Sequence, residues 1–300
     1  MPMLSVNRFR NAFNFGRASE VYNNIVHSIK ARQVYKETLN EFCDIIYEDR
    51  DYGEQMIGNY VFVLWFQGEA NAPPVVKMCI NSTKKMFNNL STLAHNYEVV
   101  VLDDNNLKDF IKLPGFIEKK YNNGMISRAH YSDIIRTYLL KRYGGIWIDS
   151  TCLSYSTNML DIFDNYDLFL YKSADCLNKK IRKSCISSWF IYSKANNPII
   201  SKTYDILCEY WKNHNSLDYY FKWHIVFSIC ANEMYKEEFD KMPFVSNHNS
   251  NYNLKRVIYK KYNKERFENC MSSACFHKLD KNIYCSYKKS IYKHLENIYA

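Results

Sequence analysis

Two carboxylates and a guanidinium stand close together in YSDIIRTYLLKRYGGIWIDST, Tyr131 to Thr151. Asp133 and Arg136 have helical i,i+3 spacing, which puts them on one face with Leu140. An exposed pair of that kind contributes only about 0.3 kcal/mol, but an apolar residue beside it points to a covered face. Asp149 follows the apolar run Ile146–Ile148 and shares a face with Trp147, because side chains alternate along a strand. A carboxylate in such a place must be solvated, paired, or holding a metal ion or a hydroxyl. His224, in FKWHIVF, has apolar flanks at helical spacing and reads as a satisfied buried histidine.

The elements that must position these groups follow from hydrophobic pattern. Gly144 is placed to stop the helix that carries Asp133 and Arg136, and Gly145 lets the chain turn into the next strand. Upstream, YVFVLWFQG and YEVVVLDD are continuous apolar runs, as strands buried on both faces are. Pro74 opens a helix expected over Val75 to Leu93. Further short strands are expected at Asp167–Tyr171 and from Trp189, with helices at Pro198–Trp211 and near Tyr219–Tyr235. Strand, helix, strand, helix, strand is the signature of an α/β fold with a largely parallel sheet. Ligands of such sheets gather outside the carboxyl ends of the strands. Three strand ends carry suggestive groups: Trp65 with Gln67, Asp103 with Asp104, and Asp149. Capping of the next helix explains Asp103 and Asp104 equally well.

Residues 1–55 read as a helical extension, with Val21, Ile25, Ile29 and Val34 at roughly helical intervals, and residues 56–300 as the main domain. The chain has 300 residues, 47% of them hydrophobic, enough for one large core and too apolar for a disordered protein. No apolar run reaches the roughly 18 residues of a membrane helix, and the start has no secretion signal. Ten cysteines without a C-x-x-C fit a reducing cytoplasm better than a zinc site. Net charge is +9. Between Lys255 and Lys293, 11 Lys and Arg face only Glu265, Glu268 and Asp280. Such a segment suits an anionic lipid surface or a phosphorylated substrate, and equally an ordinary solvated face. No nucleic-acid module is recognisable, so no nucleic-acid partner is expected.

The stretch ISRAHYSDIIRTYLLKRYGGIWIDSTCL resembles the core signature of bacterial capsular polysaccharide synthesis glycosyltransferases, relatives of the DXD-type mannosyltransferases and glucosylating toxins. The resemblance extends upstream through LWFQGEANAPPVVKMCINS. Downstream it runs more weakly through SSWFIYSKANNPII, DYYFKWHIVF and CFHKLDKN, covering about Tyr60 to Asn282. Helix, SDxxR, GG and strand-Asp in this order make the central motif specific.

The resemblance implies a GT-A, Rossmann-like sheet flanked by helices and a nucleotide-diphosphate-sugar donor, with UDP as the nucleotide. Carried onto this chain, Trp65 would stack on the nucleobase, with Gln67 and Arg128 among the donor-binding residues. Asp133 and Arg136 would hold hydroxyls of sugar and ribose. Asp149 would touch ribose and a divalent cation, Mn²⁺ or Mg²⁺, and His277 would reach the diphosphate or that cation with Lys278 beside it. Thr151 stands where the wider superfamily has a second Asp, which leaves it as an auxiliary ligand. The resemblance further implies retention of anomeric configuration and a lipid-linked oligosaccharide acceptor of capsule or exopolysaccharide assembly. The cysteine usage, the basic Lys255–Lys293 segment and the amphipathic N-terminal stretch give the expectation of a cytoplasmic enzyme, peripheral at the inner face of the membrane near such an acceptor.

Two other classes bear on the same residues. A non-catalytic nucleotide-sugar binder or assembly scaffold would fit the shortened DXD, but Asp133, Arg136 and Asp149 are all present. A nucleotidyltransferase would show a glycine-rich, basic loop after the first strand, and FQGEANAPP has one glycine and no Lys or Arg. A carboxylate kept for a ligand is partly uncompensated within the protein, so Asp149→Ala is expected to leave thermal stability unchanged or improved.

Overall fold

The structure is a computed structural model that describes residues 29–88, 96–160, 162–172, 186–247 and 250–299. Its centre is a five-stranded sheet built from β1 (Tyr60–Leu64), β2 (Glu98–Leu102), β3 (Gly145–Ile148), β5 (Leu168–Lys172) and β6 (Ile186–Ser193), ordered β2-β1-β3-β6-β5. The strands β4 (Cys152–Ser154) and β7 (Phe276–Lys278) form a separate two-stranded sheet. In the main sheet β1 pairs parallel with β2 and β3, whereas β6 is antiparallel to both β3 and β5. The α/β class and the parallel centre are as expected. The sheet is mixed because β6 runs against its neighbours, a feature hidden in sequence because a strand buried on both faces is a continuous apolar run in either direction.

Alternation sorts the strand residues into two cores. Phe62, Leu64, Trp147, Leu170 and Ile191 face one side, packed with the Arg128–Tyr143 and Pro198–Asn213 helices. Val61, Val63, Ile146, Ile148, Phe169 and Phe190 face the other, packed with the Pro74–Asn88 and Ile291–Tyr299 helices. Pro74 does open its helix, which ends at Asn88, the last described residue before 96.

The two glycines act as expected. Gly144 has φ 65° and Gly145 φ 89°, both in the region that L side chains avoid. A Cβ on Gly144 would lie 2.5 Å from Ala195 N, and one on Gly145 would lie 2.3 Å from Tyr60 O. The helix therefore ends where β3 must enter between β1 and β6.

Val21 and Ile25 lie outside the described residues. The helix over residues 29–41 buries Ala31, Val34, Tyr35 and Thr38, with Phe42 next in line, while Ile29 is exposed. The stripe therefore runs through 31, 34, 35, 38 and 42, and Ile29 sits about 140° around the wheel from Val34. This segment joins the main core: Val34, Phe42 and Ile46 belong to it, and Lys202 Nζ donates to Ile45 O at 2.9 Å.

Candidate functional site

Past the carboxyl ends of β1 and β3 lies a cavity of about 670 Å³, within the size range of small-ligand sites. Its lining includes Trp65, Gln67, Arg128, Asp133, Arg136, Asp149, Thr151 and Lys278. These residues come from four separate parts of the chain. Four cations (Arg128, Arg136, Lys278, Lys281) face two carboxylates (Asp133, Asp149) across it.

Arg136 is the fixed centre. It is buried, its NH1 donates to Ser188 O at 2.7 Å, and its guanidinium lies 5.0 Å from the Trp147 ring centroid. Its NH2 is 3.4 Å from Asp133 Oδ1 and 3.7 Å from Asp149 Oδ1, so one cation ties the helix carboxylate to the strand-end carboxylate. Burial pushes the Asp133 carboxyl up to about 6; Arg136 opposes the rise without cancelling it.

Asp149 behaves oppositely. Burial alone would raise its pKa, but the ammonium of Lys278, then Arg136, with hydrogen bonds from Lys278 and Trp147, hold it down at about 2. Trp147 Nε1 donates to Asp149 Oδ1 at 3.0 Å, and Lys278 Nζ donates to Asp149 Oδ2 at 2.8 Å and to Thr151 Oγ1 at 2.7 Å. Burial disfavours the charged Lys278, and Asp149 more than offsets it, so its pKa is raised. The β4–β7 pair fixes this arrangement. Cys152 faces Lys278 in register, and Leu279 N donates to Thr151 O at 2.8 Å, locking the two segments beside each other.

His277 does not join them, which corrects its expected place at the diphosphate or metal. It is fully buried opposite Leu153, with Nε2 3.1 Å from Met271 O, and it is absent from the cavity lining. Burial lowers its pKa to about 4. Alternation along β7 turns His277 inward and leaves Lys278 toward the cavity.

The expected divalent cation is also not matched by the residues present. The Lys278 ammonium stands on Asp149 Oδ2 and Thr151 Oγ1, the pair that would have to hold the ion. A doubly charged ion about 3 Å from an ammonium would meet about 11 kcal/mol of repulsion at an effective dielectric of 20. Among the described residues no three His, Cys, Asp or Glu converge as a metal-binding group. One carboxylate and one hydroxyl, both already bonded to an ammonium, fall short of the several free oxygen ligands a hard divalent ion takes.

Other positions are settled by the same geometry. Asp103 Oδ1 accepts from Asn105 N at 2.7 Å and Asn106 N at 3.1 Å, so this carboxylate organises its own turn. Trp65 is half-buried at the end of β1 with its buried Nε1 lacking a hydrogen-bond partner. Arg128 lies 5.9 Å from the Phe66 ring centroid. His224 differs from its expectation as a satisfied core residue. It lines the cavity, and its buried Nδ1 has no hydrogen-bond partner. Burial first, and then Arg136, lower its pKa to about 4, so it is neutral. The Lys222–Ile229 helix buries Trp223, Ile225 and Val226, and those apolar flanks concealed the side that opens on the cavity. The signal that could have found it is the lone imidazole in an otherwise apolar stretch. Trp189, Asn247 and Tyr252 were likewise not singled out as lining; Trp189 Nε1 donates to Asn247 Oδ1 at 3.0 Å.

Comparison with known proteins gives two findings. The sequence profile described as "Capsular polysaccharide synthesis protein" matches residues 10–295. Among solved structures, one described as "PaToxG Glycosyltransferase" aligns with a TM-score of 0.40 at 14% identity, covering 83% of this chain and 96% of that one. No curated protein sequence matches significantly.

Proposed function

The chain belongs to the capsular polysaccharide synthesis protein family, and from that premise we propose that it is a GT-A glycosyltransferase. It moves a sugar from a nucleotide-diphosphate donor, UDP-linked, onto a growing lipid-linked repeat unit with retention of configuration. The observation that carries this reading is the cluster at the β3 end: Asp133 and Asp149 share the buried Arg136, and Lys278 closes the group over Asp149.

In this reaction the bond from the anomeric carbon to the diphosphate breaks while the acceptor oxygen bonds to that carbon. The acceptor's proton passes to an oxygen of the leaving diphosphate, so no separate base is required. Negative charge grows on the diphosphate as the sugar carbon becomes cationic, and fixed cations beside it stabilise that state selectively. Lys278 and Lys281 serve the phosphates, while ionised Asp149 and the Asp133–Arg136 pair take hydroxyls of ribose and sugar. Trp65 offers its ring to the base.

The test is a screen of nucleotide sugars for donor hydrolysis and thermal stabilisation of the purified protein. Both responses with one nucleotide class are expected; stabilisation without hydrolysis favours a binding or scaffold role, and neither response removes the reading.

Among the described residues no helix is long and apolar enough to cross a membrane. Exposed Tyr259, Tyr284 and Tyr287 accompany the basic C-terminal segment. This supports peripheral attachment to an anionic surface at the inner face of the membrane, screened by salt. Vesicle flotation should recover the protein on anionic but not neutral lipid at low salt; equal recovery on both leaves an ordinary basic surface.

A further inference from the structure

We propose that Lys278 is the resident cation of this cavity, taking the donor's diphosphate where a divalent ion would otherwise stand, so that donor binding needs no metal. This rests on the reading of the cavity as a nucleotide-diphosphate site.

The argument begins with the chemistry of an ammonium. Lysine carries three N–H donors and no acceptor. Two are spent within the protein, on Asp149 Oδ2 at 2.8 Å and Thr151 Oγ1 at 2.7 Å. The third is left for an oxygen in the cavity that Lys278 lines. The ammonium is held by backbone as well as by charge, through the Cys152–Lys278 register and the Leu279 N to Thr151 O bond. Thr151 then has a reason to be a hydroxyl. A second carboxylate at that position would serve a divalent ion, whereas a neutral acceptor beside one carboxylate leaves the ammonium's charge only partly balanced. Lys281 lines the same cavity and also the adjoining groove formed with Tyr259, Asp280 and Asn282, so a second cation is at hand for the phosphates. Four cations against two carboxylates leave the cavity with surplus positive charge suited to a diphosphate.

The experiment is calorimetric titration of UDP, GDP, ADP, CDP and dTDP into wild type, Lys278→Met and Lys278→Arg, in excess EDTA and again with Mn²⁺ or Mg²⁺. Thermal melts establish that each variant is folded. Wild type should bind one nucleotide with affinities within about threefold in the two conditions, and Lys278→Met should lose about tenfold or more in both, a loss equal to about 1.4 kcal/mol. Lys278→Arg should retain most of the affinity, because charge is kept. Binding by wild type that appears only with the metal overturns the inference and leaves the donor reading standing. Unchanged affinity in folded Lys278→Met also overturns it. No binding of any nucleotide in either condition removes the donor reading and this inference with it. Should Lys278→Met fail to fold, the wild-type comparison in EDTA decides alone.

Discussion

Lys278 Nζ donates to Asp149 Oδ2 at 2.8 Å, joining residues 129 positions apart in the chain. Around that pair the Trp147 indole and the Arg136 guanidinium complete the neutralisation of Asp149. The strand-end carboxylate is therefore compensated by the protein's own groups, and that reverses the stability expected for its removal.

Asp149→Ala should lower thermal stability. It leaves Lys278 and Arg136 without their shared anion, and the side chains of Asp149 and Lys278 are only 25% and 19% exposed. Breaking a buried pair costs about 3–5 kcal/mol; partial exposure reduces this to about 2 kcal/mol. The pH dependence follows from the depressed pKa. The folded value of about 2 is below the unfolded one, so Asp149 contributes stability above the unfolded pKa and loses it as pH falls toward 2. Melting curves of wild type and Asp149→Ala between pH 3 and 8 check this; a stability gap that does not close toward acid is the contrary result.

Asp133 should act with the opposite sign. Its folded pKa of about 6 exceeds the unfolded one, so its contribution is fully present below the unfolded pKa and is lost as pH rises through about 6. Asp133→Asn should therefore be more stable than wild type at pH 8, by about 1–2 kcal/mol, with the difference shrinking toward pH 4. Chemical denaturation at the two pH values measures it. A variant less stable than wild type at pH 8 contradicts the burial cost placed on this ionised carboxylate.

His277→Gln should lower the melting temperature while leaving nucleotide affinity within about twofold of wild type. The imidazole packs in the second core against Tyr155 and holds Met271 O, with no exposure to the cavity. Titration with the bound nucleotide decides: a large loss of affinity in a folded variant would restore the role expected from the sequence.

Trp65→Ala should weaken binding of that nucleotide by about 1–3 kcal/mol, the range for loss of one base–aromatic stack. Trp65→Phe should recover most of it, since a ring face remains. Equal losses in both variants would point instead to the indole Nε1, which is buried without a partner.

The sequence disclosed the parallel centre of the sheet because β1, β2 and β3 alternate with helices, and β2 and β3 each run into a carboxylate. The Asp133–Arg136–Asp149 convergence was legible too. The family motif implied it, since the resemblance assigns all three residues to one donor, and the two glycines join the helix directly to the strand. The place of Lys278 against Asp149 was not, for it depends on a two-stranded sheet of only three residues per strand closing between distant segments. The motif named His277 and Lys278 together, and in so short a strand only the register decides which of them faces the cavity. His224 was hidden for a related reason: apolar neighbours on three sides of a helix say nothing of what the fourth side opens onto.

Turnover of the active nucleotide sugar by wild type, Asp149→Ala and Asp149→Asn tests the central claim most directly, with each variant's folded fraction measured alongside. The account predicts that both variants fall by about 100-fold or more, or about 2.7 kcal/mol in the barrier. Asp149→Asn should fail with Asp149→Ala, because the amide keeps the shape but loses the charge that anchors Lys278. Thr151→Ala, which removes only one of the ammonium's acceptors, should fall less. Wild-type turnover in folded Asp149→Ala would contradict the account, because no transfer reaction centred on this strand end could then need its carboxylate.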